Sequence, residues 1–148
     1  MSVNNPLDKS EGKVGGVVLS HGQLATELLA TAETVGGAIG HITAIAIGWH
    51  DDVEMARLEL SRAIEQVEQG KGVLLLTDMF GGSPTNIAAM FLDPGKVEIL
   101  TGVNLPMVVK LAQQSEGTDL TELARQVLAA GREGIYQAGE LLVPLKQK

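Results

Sequence analysis

No cysteine occurs in the 148 residues, which excludes disulfides, thiolate zinc sites and thiol nucleophiles together. Aromatic residues make up only 3% of the chain, too few for the stacking platforms of single-stranded nucleic-acid binders. Cations are scarce as well: 11 Lys and Arg against 18 Asp and Glu give a net charge of -7, which repels phosphate polymers and anionic bilayers. Nucleic acid is therefore not an expected partner. No apolar run approaches the roughly 20 continuous residues that a membrane-spanning helix needs. Residues 1–13 are polar, carry Pro6 and lack the apolar stretch of a signal peptide. Together these absences point to a soluble protein of a reducing compartment, the cytoplasm.

What is present is apolar and periodic. Apolar residues make up 45% of a chain whose length suits one well-buried core, so we expect a flexible leader over 1–13 and a single domain over 14–148. From Val14 onward, short β-type runs alternate with helical patterns, the mark of βαβ units and a parallel sheet. The runs fall at residues 14–20, 42–48, 72–77 and 96–101. Leu24, Leu28, Ala32 and Val35 give the first helix its inward stripe, and Met55, Leu58, Ala63, Ile64 and Val67 give the second one, behind an N-cap at Asp51 or Asp52. Ser83 and Pro84 read as N-cap and first residue of a third helix. Two more helices follow at about 106–114 and 119–130, and residues 141–145 look like a short edge strand. The expected fold is α/β, a doubly wound and mainly parallel sheet of four strands with helices on both faces, plus that C-terminal antiparallel edge strand.

In such a sheet the C-terminal strand ends gather on one edge, where ligands bind. The first strand ends in Ser20-His21-Gly22 and the third in Thr77-Asp78, so His21 and Asp78 meet if those strands are neighbours. A histidine that donates one ring N–H to a carboxylate keeps its other nitrogen unprotonated and nucleophilic, as an acceptor of a phosphoryl group requires. Gly22 permits close approach beside the imidazole, and Gly81-Gly82-Ser83 ahead of a helix offers backbone N–H groups and a positive dipole end to anionic oxygens. Each residue also has a plain structural use: His21 as a turn or packing group, Asp78 as a turn cap, Gly82 and Ser83 as the start of a helix. A serine hydrolase would employ Ser83 with His21 and Asp78, but the residues around Ser83 lack the second glycine of a nucleophile elbow. Gly70-Lys71-Gly72 is no P-loop. His41 and His50 read as surface residues without a third ligand, which argues against a metal site, and Trp49 reads as a packing residue. No cofactor is expected.

Four stretches carry a family resemblance: Ser20-His21-Gly22, residues 77–86 (TDMFGGSPTN), residues 102–107 (GVNLPM) and residues 131–134 (GREG). Over about residues 14–139 the chain resembles the IIA domain of the mannose-type (mannose, fructose and sorbose) permeases of the bacterial phosphotransferase system. The resemblance implies that His21 takes a phosphoryl group from the histidine-containing phosphocarrier protein HPr and passes it to a IIB domain. It implies that Asp78 orients the histidine and that Ser83 belongs to the site. It also implies a homodimer with an exchanged C-terminal strand, which residues 141–145 would suit, and an indirect association with a membrane IIC/IID permease. Ser20 stands where Thr is common in the family and Phe80 where Trp is familiar. A regulatory IIA module without sugar transport, or a dihydroxyacetone kinase phosphocarrier, is the alternative.

Overall fold

The computed structural model describes residues 12–47 and 52–146, with side chains to Leu142. Trp49, His50, Asp51 and residues 1–11 of the expected leader lie outside the described residues. Four apolar runs form β1 (Gly15–His21), β2 (Ile42–Ile47), β3 (Val73–Thr77) and β4 (Val97–Thr101). They alternate with α1 (Leu24–Gly36), α2 (Val53–Val67) and α3 (Gly82–Ala89), and are followed by α4 (Leu105–Ala112), α5 (Leu120–Glu133) and α6 (Ala138–Lys146). All strands run parallel in the order β2-β1-β3-β4, so β1 and β3 are central neighbours, with Leu19 beside Thr77.

Strand alternation divides the core in two. Val18, Leu74 and Leu76 face a layer supplied by α1, α4 and α5, through residues such as Ala25, Leu111 and Val127. Val17, Leu19, Val73 and Leu75 face the opposite layer, where Leu60 and Val67 of α2 and Ile87 of α3 pack. The doubly wound sheet with helices on both faces is therefore as expected. Packing is close where β1 begins: a Cβ on Gly15 would lie 2.3 Å from the carbonyl oxygen of Val67, so only glycine lets the end of α2 settle there.

Several expectations need correction. Residues 141–145 are part of a helix, α6, rather than an edge strand. A strand needs a neighbouring edge, whereas the run from Ala138 through Leu142 closes its hydrogen bonds within itself as a helix. In α1 the buried residues are Ala25 and Ala32, while Leu24 and Val35 are exposed. In α2 they are Ala56, Leu60, Ala63 and Val67, while Met55 and Leu58 face outward. Asp52 caps α2 as anticipated, accepting from the Glu54 N–H at 2.8 Å. Gly12 and Lys13, the last residues of the expected leader, are attached to the domain: Lys13 N–H donates to Gln69 Oε1 at 3.0 Å, and the Gly12 carbonyl accepts from Gly117 N–H at 3.2 Å. His41 is not on the surface. It is 4% exposed and makes a 3.1 Å hydrogen bond between Nε2 and the Leu111 carbonyl. Among the described residues, no helix is long and apolar enough to cross a membrane.

Candidate functional site

The C-terminal ends of β1 and β3 place His21 and Asp78 side by side. Asp78 Oδ2 lies 2.8 Å from His21 Nδ1 and also accepts the His21 backbone N–H at 3.0 Å. Its other oxygen, Oδ1, accepts the Met79 N–H at 3.0 Å. Burial pushes the Asp78 carboxyl upward, but the two hydrogen bonds from His21, the attraction of that ring whenever it is protonated and the local backbone outweigh that and hold it below the usual aspartate range. An ionised carboxylate is acceptor only, so Nδ1 is the donor, and the lone pair of the neutral ring is on Nε2. The His21 side chain keeps 37% of its surface accessible, so an approaching group can reach it, while Asp78 keeps only 11%.

Glycine shapes the space at Nε2. A Cβ on Gly82 would stand 3.2 Å from both Nε2 and Cε1 of His21. Gly82 has φ 78 and opens α3, with Gly81 (φ 86) as its N-cap. The helix therefore begins at the imidazole edge, bringing its first-turn N–H groups and positive dipole end to the site. Ser83 is consequently a second-position residue of the helix rather than its N-cap, and no side chain caps α3. Gly81 and Gly82 both take a left-handed φ, so the turn that leads from β3 into the helix is made by glycine. Gly22, with φ 54, turns the chain after β1, and nothing of the protein lies within 4 Å of a Cβ placed there.

Three hydroxyls hold this arrangement that sequence reasoning had not singled out. Ser20, fully buried, accepts the Ala25 N–H at 2.7 Å and donates to the His21 carbonyl at 3.1 Å, which supplies α1 with the cap its own Gln23 lacks. Thr85 Oγ1 donates to the Met79 carbonyl at 2.7 Å and lies 2.9 Å from Thr77 Oγ1. A hydroxyl at a strand end and another in the first turn of the next helix are the signal that could have marked this pair.

The two remaining motif stretches interlock beside the site. Asn104 Oδ1 accepts the Met107 N–H at 3.2 Å, capping α4, and its Nδ2 donates to the Gly131 carbonyl at 3.0 Å. A Cβ at Gly131 would lie 2.7 Å from Met107 Sδ, and one at Gly134 would lie 2.7 Å from Pro106 Cγ, so both glycines let α5 close on α4. The Val103 N–H donates to the Thr77 carbonyl at 2.9 Å, which ties this unit to the end of β3. Between them runs a cleft of about 450 Å³ whose lining includes Phe80, Gly102, Asn104, Met107 and Arg132.

The sequence and the fold are similar to those of known proteins. Over 126 residues the chain is 33% identical to the "PTS system mannose-specific EIIAB component" of Escherichia coli (strain K12), covering 80% of this chain and 38% of that protein. The chain thus spans less than half the length of that curated relative. It is 23% identical over 131 residues to the "PTS system fructose-specific EIIA component" of Bacillus subtilis (strain 168), covering 88% and 90% of the two chains. The fold matches a solved mannose/sorbose specific IIA subunit of the phosphotransferase system from Enterococcus faecalis with a TM-score of 0.75 at 24% identity, over 84% of this chain and 94% of that one. With residues 15–128 matching the family described as "PTS system fructose IIA component", the chain belongs to that family.

Proposed function

We propose that this chain is a phosphoryl carrier of the phosphoenolpyruvate-dependent sugar phosphotransferase system, with Nε2 of His21 as the acceptor atom. The observation that carries the reading is the 2.8 Å contact between His21 Nδ1 and Asp78 Oδ2. The Nε2 lone pair attacks phosphorus as the bond from phosphorus to a donor imidazole nitrogen breaks, and the donor ring leaves with that electron pair. His21 then holds a new N–P bond, and its ring bears positive charge with the proton still on Nδ1. The Asp78 carboxylate offsets that charge, as the orienting aspartate of a catalytic triad offsets an imidazolium. Transfer onward reverses the same step. Little covalent work is asked of the protein, because phosphoryl transfer depends mainly on positioning and charge stabilisation.

The donor in this reading is phospho-HPr and the next acceptor a IIB domain, with Gly22, Gly82 and Ser83 around the transferred group. The site is cytoplasmic, next to a membrane IIC/IID permease. A homodimer is part of the reading, supported by the exposed Leu141 and Leu142 and by the outer edge of β4, which pairs with no further strand among the described residues. Light scattering on the purified chain checks it, and a monomer at micromolar concentration would remove it.

Incubation with the general phosphotransferase proteins and labelled phosphoenolpyruvate tests the central step. The chain should take up an acid-labile, base-stable label that disappears in His21→Ala. A label that survives this substitution would show that another residue is the acceptor.

A further inference from the structure

We infer that Thr85 is a positioning residue for phosphoryl transfer at His21, acting through the loop that joins β3 to α3. The inference rests on the carrier reading above and adds a residue to its machinery. The loop has an unusual load: Asp78, at its start, orients the imidazole, and Gly82, at its end, borders Nε2. Packing contributes little to its shape, since Met79 is 57% and Phe80 85% exposed. Glycine at 81 and 82 adds conformational freedom rather than restraint.

Hydrogen bonds therefore have to fix the loop. Asp78 Oδ1 holds the Met79 N–H at 3.0 Å, and Thr85 Oγ1 holds the Met79 carbonyl at 2.7 Å. A hydroxyl carries one hydrogen, and that of Thr85 is spent on Met79, so in the 2.9 Å contact with Thr77 Oγ1 it is Thr77 that donates. The result is a directed chain from Thr77, buried at the end of β3, through Thr85 on α3, to the peptide following Asp78. Removing the Thr85 hydroxyl releases the Met79 peptide and strands the Thr77 hydroxyl. Both the carboxylate and the glycine edge of the site then lose their shared anchor, although Thr85 itself touches neither reacting nitrogen nor phosphorus.

The test compares Thr85→Val, which keeps the shape without the hydroxyl, with Thr85→Ser, which keeps the hydroxyl. Phospho-HPr is the donor, and rate, label stoichiometry and melting temperature are read together. Thr85→Val should lower kcat for labelling about three- to tenfold. KM for phospho-HPr and the final one-label stoichiometry should not change, and Thr85→Ser should restore the rate. A chain that was merely destabilised would instead lose label stoichiometry in step with its unfolded fraction, with kcat per folded molecule unchanged. If Thr85→Val fails to fold, Thr85→Ala removes the same hydroxyl with a smaller side chain and carries the same expectation. A wild-type rate in either folded variant, or a slow rate that Thr85→Ser does not restore, overturns the inference while wild-type labelling of His21 stands. Absence of label on His21 in the unmodified chain overturns the carrier reading and this inference with it.

Discussion

One oxygen of Asp78 serves His21 twice: Oδ2 accepts the backbone N–H at 3.0 Å and the ring Nδ1–H at 2.8 Å. The first bond fixes where the histidine sits and the second which way its ring faces. Position and tautomer are thus set by the same atom.

Asp78→Asn keeps an acceptor oxygen but removes the charge that offsets a phosphorylated ring. A charge-assisted hydrogen bond is worth roughly 1.5–3 kcal/mol, so labelling of His21 should slow about ten- to a hundredfold with the fold intact. Quenched-flow labelling beside circular dichroism checks it, and unchanged kinetics would remove Asp78 from the site. The depressed carboxyl adds a pH signature. A carboxylate with a lowered folded-state value contributes stability that is present above the ordinary aspartate value, about 4, and is lost as pH falls through the folded value. The stability difference between wild type and Asp78→Asn should accordingly persist at neutral pH and shrink below about pH 4.

Gly82→Ala and Gly22→Ala form a matched pair, since both place a side chain at positive φ. Each should cost roughly 1–2 kcal/mol of stability. Only the first puts a methyl 3.2 Å from Nε2, within the roughly 3–3.5 Å that an attacked phosphorus needs. Phosphorylation should fall at least about tenfold in Gly82→Ala and fall distinctly less in Gly22→Ala. Equal rates in the two variants would show that room beside the ring is not what glycine 82 provides.

His41 yields a prediction about stability alone. Burial lowers its folded-state pKa, the bond to the Leu111 carbonyl opposes that, and Lys13 adds to the lowering. The unfolded chain therefore binds a proton here at a higher pH than the folded chain, and stability declines as pH drops below about 6.5. His41→Gln, which can still donate to the Leu111 carbonyl, should flatten that decline in thermal melts recorded between about pH 7 and 5. A decline of unchanged slope would assign the acid sensitivity to other groups.

The parts of the molecule written in local runs were legible. Val17 to Leu19 and Val73 to Leu76 could only be buried strands, and placing His21 and Asp78 at their ends required just that β1 and β3 be neighbours. What escaped depends on distant partners. Apolar residues lie on two adjoining faces of α2, and spacing cannot say whether Met55 and Leu58 or Ala56 and Leu60 meet the sheet. His41 looks like a surface residue until Leu111, far along the chain, closes over it. Ser83-Pro84 fits a capping rule well, yet the helix begins sooner, at Gly82. The tail shows the same dependence, because whether Leu141 and Leu142 extend or coil is decided by what stands beside them.

The order β2-β1-β3-β4 makes the address of the reactive edge a property of winding rather than of chemistry. From β1 the chain crosses one face through α1, and from β2 it returns across the other through α2, so the layers part above the central pair of strands. An engineer wishing to install a different acceptor could therefore rewrite the turns after β1 and β3 and leave every buried contact of the scaffold alone.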